Sequence, residues 1–271
     1  MNSYSRSKIT GYCLVTGSSR GIGRAIALEW ASQGVPIIAI ANDKDALSAL
    51  KTEIESTYKV DCQILNKDLL KIETPKEIYQ WCLAHEKKVQ ILINNVGVGA
   101  SGSFEETSTN FDLSLVQLNL FPMLQLTKLF LPMLKNFNKS YVLNMSSLGS
   151  YGPIPYKAVY TASKAFVYSF SKAISSELKS DNVQVSVSCP AGVFTNPDVV
   201  ERIKTSGIVA RWTSLNVSTV AHYIVVGMLK GKKMIIPGVG AKFLMLLMRI
   251  VPETLNSLIV GGIMKKNKSE A

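Results

Sequence analysis

The segment Gly11-Tyr-Cys-Leu-Val-Thr16, followed by Gly17-Ser-Ser-Arg-Gly-Ile-Gly23, limits the fold more than any other part of the chain. The first half reads as a short buried strand and the second as a glycine-rich turn. Helical spacing then begins at Arg24, with Ile26 and Trp30 on one side and Gly34 as the stop after Gln33. The same unit recurs down the chain. Strands are expected at Pro36–Ile40, Cys62–Leu65, Val89–Ile93, Tyr141–Met145, Val183–Cys189 and Met234–Ile236. Helices are expected at Lys44–Tyr58, Pro75–Glu86, Leu113–Asn136, Tyr156–Ser180 and Val217–Leu229. The strands are continuous Val/Ile/Leu runs rather than alternating ones, which is the pattern of strands buried on both faces. A doubly wound α/β fold follows, with a parallel sheet of about seven strands and helices on both sides.

At 271 residues, 47% hydrophobic and 18% charged, the chain is long enough for one α/β domain with a sizeable core. No linker or repeat interrupts it, so residues 1–271 are read as a single domain. Cys13, Cys62, Cys82 and Cys189 are scattered without a CxxC pair and read as buried thiols. With only His85 and His222, a histidine metal site or triad has little support, and no metal is expected. Met1 to Thr10 is polar and lacks the apolar core of a signal peptide, which points to a cytoplasmic chain. The apolar run Phe243–Val251 is broken by Arg249 and ended by Pro252, too short for a membrane span.

The net charge of +11 raises nucleic acid as a partner, but its distribution argues otherwise. From Lys230 to Ala271 there are eight Lys/Arg against Glu253 and Glu270, a net of +6, interleaved with Leu, Met and Ile. That pattern suits contact with an anionic membrane surface better than a nucleic-acid groove. No nucleic acid is expected, and a peripheral membrane contact through the C-terminal segment is.

Tyr160 and Lys164 stand four apart in Tyr160-Thr-Ala-Ser-Lys164, so a helix would place them on one face. A phenol with a pKa near ~10 is a poor acid or base at neutral pH, and an adjacent ammonium favours its ionised form. Ser147, just past an apolar strand, could bond the same carbonyl that Tyr160 protonates. By itself the Tyr–Lys pair reads more readily as two helical neighbours. The glycine turn, set between strand and helix, reads as a phosphate cradle.

The spacing Thr16-Gly-x-x-x-Gly21-x-Gly23 resembles the short-chain dehydrogenase/reductase family, and the resemblance continues in order to Thr195. Asn94-Asn-Val-Gly97 is similar to that family's NNAG segment; Val96 in place of Ala resembles the branch of hydroxysteroid dehydrogenases and long-chain 3-oxoacyl reductases. The resemblance implies a Rossmann-type fold and a catalytic set of Asn119, Ser147, Tyr160 and Lys164. It implies cofactor contacts at Gly17, Ser19, Arg20, Gly21, Ile22, Gly23, Asn42, Asp68, Leu69, Asn95, Val96, Gly97, Tyr160, Lys164, Pro190, Gly192, Val193 and Thr195. Ala191 departs from the usual glycine of the segment Pro190–Thr195.

NADPH is favoured over NADH on physical grounds. A carboxylate at the end of the second strand would bond the ribose 2′-hydroxyl, but Ala41 and Asn42 stand there. Arg20 suits a phosphate, and Asp43 is the counter-indication if it turns inward.

Residues 195–215 are expected to form a substrate segment, mixing Val199, Val200, Ile203, Ile208, Val209 and Trp212 with Arg202, Lys204 and Arg211. Residues 239–271 form an apolar, basic extension in which Phe243, Leu246, Leu255, Leu258 and Ile259 serve the core, a dimer contact or a membrane surface. The substrate expected is an apolar ketone, 3-oxoacyl or steroid-like. The resemblance also implies a homodimer through the two long helices, with Leu118, Phe121, Leu124, Leu126, Phe130, Phe166 and Phe170 as apolar candidates. The competing reading is a catalytically silent nucleotide-binding regulator or membrane-surface protein of the same fold.

Overall fold

A computed structural model describes residues 9–196, 199–201, 203 and 207–251, without the side chain of Ile208. The expectations for Arg202, Lys204 and the tail beyond Val251 lie outside those residues. Six strands, β1 (Tyr12–Thr16), β2 (Ile37–Ala41), β3 (Cys62–Asn66), β4 (Val89–Asn94), β5 (Ser140–Met145) and β6 (Val183–Ser188), alternate with five helices. These are α1 (Gly21–Ala31), α2 (Lys44–Tyr58), α3 (Thr74–Ala84), α4 (Thr109–Lys135) and α5 (Ala158–Glu177). A two-strand ribbon of β7 (Val193–Phe194) and β8 (Leu215–Asn216) follows, with α6 (Gly207–Thr213) between its strands. Then come α7 (Val217–Leu229), β9 (Met234–Ile235) and α8 (Val239–Ile250).

The main sheet has seven strands in the order β3-β2-β1-β4-β5-β6-β9, and each neighbouring pair is parallel. The strands are apolar on both sides because both sides are covered. One core joins α1, α2 and α7 to the sheet through Ile26, Trp30, Leu47, Leu50, Ile54 and Ile224. The other joins α3 and α4 to the sheet through Ile78, Cys82, Leu126, Phe130 and Leu134, with Ile174 of α5 packed against it. All four cysteines are buried free thiols.

Element boundaries differ from the sequence expectation where capping or a left-handed residue intervenes. The third helix ends at Ala84 because Glu86 adopts φ +52, a conformation that breaks the α-helical ladder. The fifth starts at Ala158 instead of Tyr156, because Tyr156 sits at φ +64. The fourth starts earlier, at Thr109, where the Ser108 hydroxyl oxygen accepts from the Phe111 N–H at 3.3 Å. Leu126 and Phe130 of this helix are fully buried in the core, so they cannot form a dimer surface. Phe121 and Phe166 remain exposed.

Strand order reverses between β1 and β4. Chain leaving β1 turns to one side and chain leaving β4 to the other, which opens a crevice at the carboxyl ends of the two strands. Every residue singled out for cofactor or chemistry follows a strand end or lies on a helix facing that edge.

Candidate active site

The floor of the crevice is held by Thr16. Its hydroxyl oxygen accepts from the N–H groups of Asn95 (2.9 Å) and Val96 (3.0 Å), while its proton goes to the Ile93 carbonyl. The Asn95 side chain donates back to the Thr16 and Gly17 carbonyls at 2.9 and 3.3 Å. The ends of β1 and β4 are thereby bolted together. Gly17 and Gly21 need the left-handed region at φ +66 and +59. Gly23 needs its missing side chain for space, since a Cβ would fall on the Gly17 carbonyl oxygen and the Asn95 amide.

The N-terminus of α1 fits a phosphate group. Arg20 occupies the N-cap position without a side-chain cap hydrogen bond, and the first turn holds no acidic residue. Its N–H groups and the positive end of the helix therefore face the crevice without a side-chain cap. The Ser18 hydroxyl, by contrast, turns inward to the Ile40 carbonyl at 3.3 Å. Thr195 comes to this mouth, within 3.5 Å of where a Cβ on Gly21 would stand. Asn42 is exposed at the end of β2. Asp43 caps α2, its carboxylate accepting from the Ala46 N–H at 3.0 Å. The carboxylate feared as a repulsive neighbour for a 2′-phosphate is thus committed to a helix end. Asp68, past β3, accepts from the Leu70 N–H at 3.0 Å, and Leu69 is buried beside it.

On the β4–β5 side, Tyr160 and Lys164 lie on one face of α5, with the Lys164 Nζ 5.9 Å from the Tyr160 ring centre. Lys164 is buried and donates to the Met145 carbonyl at 3.0 Å. Burial without a carboxylate partner lowers its pKa to about 8. Gly97 passes so close that a Cβ there would meet Asn119 Oδ1 at 2.8 Å and Lys164 Nζ at 3.2 Å. Asn119 is buried in α4 and clasps the backbone of Val98. Its Oδ1 accepts from the Val98 N–H at 2.9 Å, and its amide donates to the Val98 carbonyl at 3.1 Å. Ser147, after β5, accepts from the Gly149 N–H at 3.1 Å, which leaves its O–H available as a donor.

Several supporting residues carried no legible signal of their own in the sequence. The Asn119 amide also donates to Ser163 Oγ (3.0 Å), whose proton goes to the Tyr160 carbonyl (2.7 Å). Ser146 Oγ donates to the Lys164 carbonyl at 2.8 Å and ties α5 to β5. Beneath them the Asn94 amide donates to Asn144 Oδ1 and Thr127 Oγ1, and Asn144 donates to Ser171 Oγ. That buried chain joins β4, β5, α4 and α5. Asn94 was visible only as part of the Asn94–Gly97 segment, and the pairing of Asn144 with it needs the register of β4 on β5.

Pro190, Gly192 and Val193 follow β6. Pro190 and Gly192 offer their carbonyls to the N–H groups of Leu148 (2.8 Å) and Leu215 (3.1 Å). A Cβ at Gly192 would strike the Ser214 hydroxyl, so a larger residue there would have to displace that side chain.

Fold and crevice together define an α/β protein built to hold a dinucleotide across a strand-order switch. A family profile described as short chain dehydrogenase matches residues 12–204, and the chain belongs to that family of oxidoreductases. Among curated relatives it is 31% identical over 195 residues to very-long-chain 3-oxoacyl-CoA reductase-B of Danio rerio, covering 70% of this chain and 61% of that one. It is 32% identical over 189 residues to 17-beta-hydroxysteroid dehydrogenase type 3 of Mus musculus, covering 68% and 60%. The chain thus spans about three fifths of the length of these relatives. A short-chain dehydrogenase from Sphingobium yanoikuyae, solved in complex with NADPH, superposes with a TM-score of 0.76 at 25% identity, covering 90% of this chain and 97% of that one. A 7beta-hydroxysteroid dehydrogenase structure superposes at 0.84 with 17% identity over 93% and 96%, a likeness of fold.

Proposed function

We propose that this chain reduces an apolar ketone to a secondary alcohol with NADPH. The observation that supports this reading best is Tyr160 beside buried Lys164 on one face of α5, with Ser147 at the end of β5 and an uncapped helix N-terminus at the same sheet edge. NADPH, when bound, supplies a hydride equivalent to the carbonyl carbon. The α1 N-terminus with Gly17, Ser19, Gly21, Ile22 and Gly23 would hold its pyrophosphate. Arg20 and Asn42 would face the 2′-phosphate, and Asp68 and Leu69 the adenine. Asn95–Gly97, Pro190, Gly192, Val193 and Thr195 would line the nicotinamide half.

In this reading the Tyr160 hydroxyl gives its proton to the developing alkoxide, as a general acid. Lys164, charged below about pH 8, favours the phenolate that remains. Ser147 donates to the same carbonyl oxygen and fixes its direction. Asn119, fixed by its bonds to Val98 and Ser163, would position a water that returns a proton through Lys164.

The substrate reading rests on the relatives named as 3-oxoacyl-CoA reductases and hydroxysteroid dehydrogenases, and on apolar side chains at the mouth. Val98 and Phe104 are exposed there, next to a small cleft that Tyr156 and Tyr160 line. A homodimer through α4 and α5 fits the stacked rings of Phe166 and Phe170, 6.2 Å apart, with Phe166 and Phe121 open to solvent.

The test is oxidation of NADPH, followed at 340 nm (the nicotinamide absorbance), against a panel of 3-oxoacyl thioesters, ketosteroids and small ketones. Turnover of at least one apolar ketone, with NADH clearly slower at equal concentration, is expected. Tight NADPH binding without turnover of any ketone would favour the silent regulator instead.

A further inference from the structure

Helices α6 and α8 form a surface that the crevice chemistry does not use. Helix α8 turns Gly240 and Ala241 inward, where Ala241 joins a small core with Val187, Cys189 and Ile236. A Cβ at Gly240 would lie 3.1 Å from the Trp212 carbonyl oxygen, so the small residue lets α6 close onto α8. The other side of α8 is apolar and open: Phe243 is 52% exposed, Leu246 51% and Ile250 70%, with Leu247 also exposed. Trp212 of α6, 58% exposed, meets Phe243 edge to face at 6.1 Å, and exposed Val209 lies one turn before it. Single exposed apolar residues are ordinary, but a contiguous set on two touching helices marks a contact surface.

The charge on this part of the chain indicates what it contacts. From Gly207 to Val251 there are six Lys/Arg and no Asp or Glu. Arg211, Lys242 and Arg249 are exposed on the two helices that form the face. Helix α8 has 12 residues, about 18 Å at 1.5 Å per residue, and among the described residues no helix is long and apolar enough to cross a membrane. An amphipathic helix of this kind lies in the plane of an interface, with its cations at the headgroups.

We propose that the joint face of α6 and α8 docks on a lipid bilayer carrying anionic headgroups. A second copy of the chain fits it poorly, because two such faces would bring like charges together without an acidic partner. The face is also linked to the crevice. The Arg249 guanidinium stacks 5.2 Å from the Tyr151 ring and donates to the Tyr168 hydroxyl at 3.5 Å. Tyr151 closes the 3-10 turn that starts directly after Ser147. On the reductase reading given above, docking sets the Ser147 side of the crevice against the lipid, and a ketone dissolved in the bilayer enters without crossing water.

The test is flotation of the full chain with vesicles of phosphatidylcholine alone or with about one-third phosphatidylserine, a content that gives a negative surface. Trp212 reports insertion through quenching by brominated lipid in a Trp81→Phe background, since Trp30 is buried but Trp81 is half-exposed beside His85. Binding to the anionic vesicles is expected, with quenching. It should weaken at least ~tenfold in Phe243→Ser/Leu246→Ser/Ile250→Ser, and lose most of its salt sensitivity in the charge-neutralised Arg211→Gln/Lys242→Gln. An unchanged melting temperature and unchanged NADPH affinity would show that the variants are folded. Absence of binding by the parent chain, or equal binding by the triple variant, overturns the proposal. So does dissociation of an oligomer in the triple variant with no vesicle binding by either form. Vesicle binding without reduction of any ketone keeps the docking surface and removes the reductase reading.

Discussion

Replacing Lys164 with methionine should make the cofactor-free protein more stable while removing its chemistry. The ammonium is buried, its one hydrogen bond among the described residues goes to the Met145 carbonyl, and no carboxylate is among the groups acting on it. Burial lowers its pKa from 10.5 to about 8. At ~1.4 kcal/mol per unit, holding the charge at pH 7 costs on the order of 3 kcal/mol. Losing the bond to Met145 gives back about 1 kcal/mol, so Lys164→Met should gain roughly 1–2 kcal/mol. For a chain of this length that is a rise in Tm of about 2–4 °C. The sign with pH follows from linkage. Between about pH 8 and 10.5 the unfolded chain binds a proton that the folded chain has released. The parent protein therefore gains stability through that window, and the advantage of the variant shrinks across it. Calorimetry of both proteins without cofactor at pH 7 and pH 10 measures the difference directly. A variant that melts lower at pH 7, or a difference that does not change with pH, would refute the argument. Turnover should fall by ~100-fold or more at either pH, the scale of a lost acid–base group.

Tyr160→Phe should abolish ketone reduction with NADPH affinity nearly unchanged, read by nicotinamide fluorescence; near-normal turnover would remove Tyr160 from the acid role. Arg20→Ala should raise KM for NADPH by ~10-fold or more and leave KM for NADH almost unaltered, as expected from one lost charge-assisted phosphate bond; equal changes for both would place the arginine elsewhere. Gly23→Ala should lower stability by several kcal/mol, because the added Cβ meets the Gly17 backbone and not a movable side chain; a melting temperature within ~1 °C of the parent would contradict that close approach.

The alternation of strands and helices was legible because strands covered on both faces must be apolar throughout, and Ile37–Ala41, which is buried along its whole length, shows that rule plainly. The glycine turn was legible for a similar reason, since Gly17, Gly21 and Gly23 answer steric demands that no other residue meets. Helix ends were less so. The residue types at Tyr156 and Glu86 do not announce left-handed backbone angles; at Glu86 the angle closes α3, with the Lys87 N–H on the Cys82 carbonyl at 2.8 Å. The Tyr160–Lys164 pair was visible from spacing, but the grip on it was not. Ser146, Ser163, Asn144 and Thr127 are common small polar residues whose meaning depends on partners 18 to 50 positions away. The role of Leu126 and Phe130 was misjudged for the same reason. An apolar position on a long helix names a buried face without saying whether the sheet or a second subunit covers it.

The narrow β7–β8 ribbon has a consequence for how such a protein could change its substrate. Val193 pairs with Leu215 and Phe194 with Asn216, so the chain leaves and re-enters the body at adjacent points. The described helix between them, α6, also rests on α8 through Trp212, whereas Tyr160, Lys164 and Asn119 are held near the ends of β4 and β5 by bonds that do not involve it. On the proposed reductase reading, a foreign segment grafted between Thr195 and Ser214 that keeps the contact of α6 with α8 would change the ketone taken and leave the reacting groups in register.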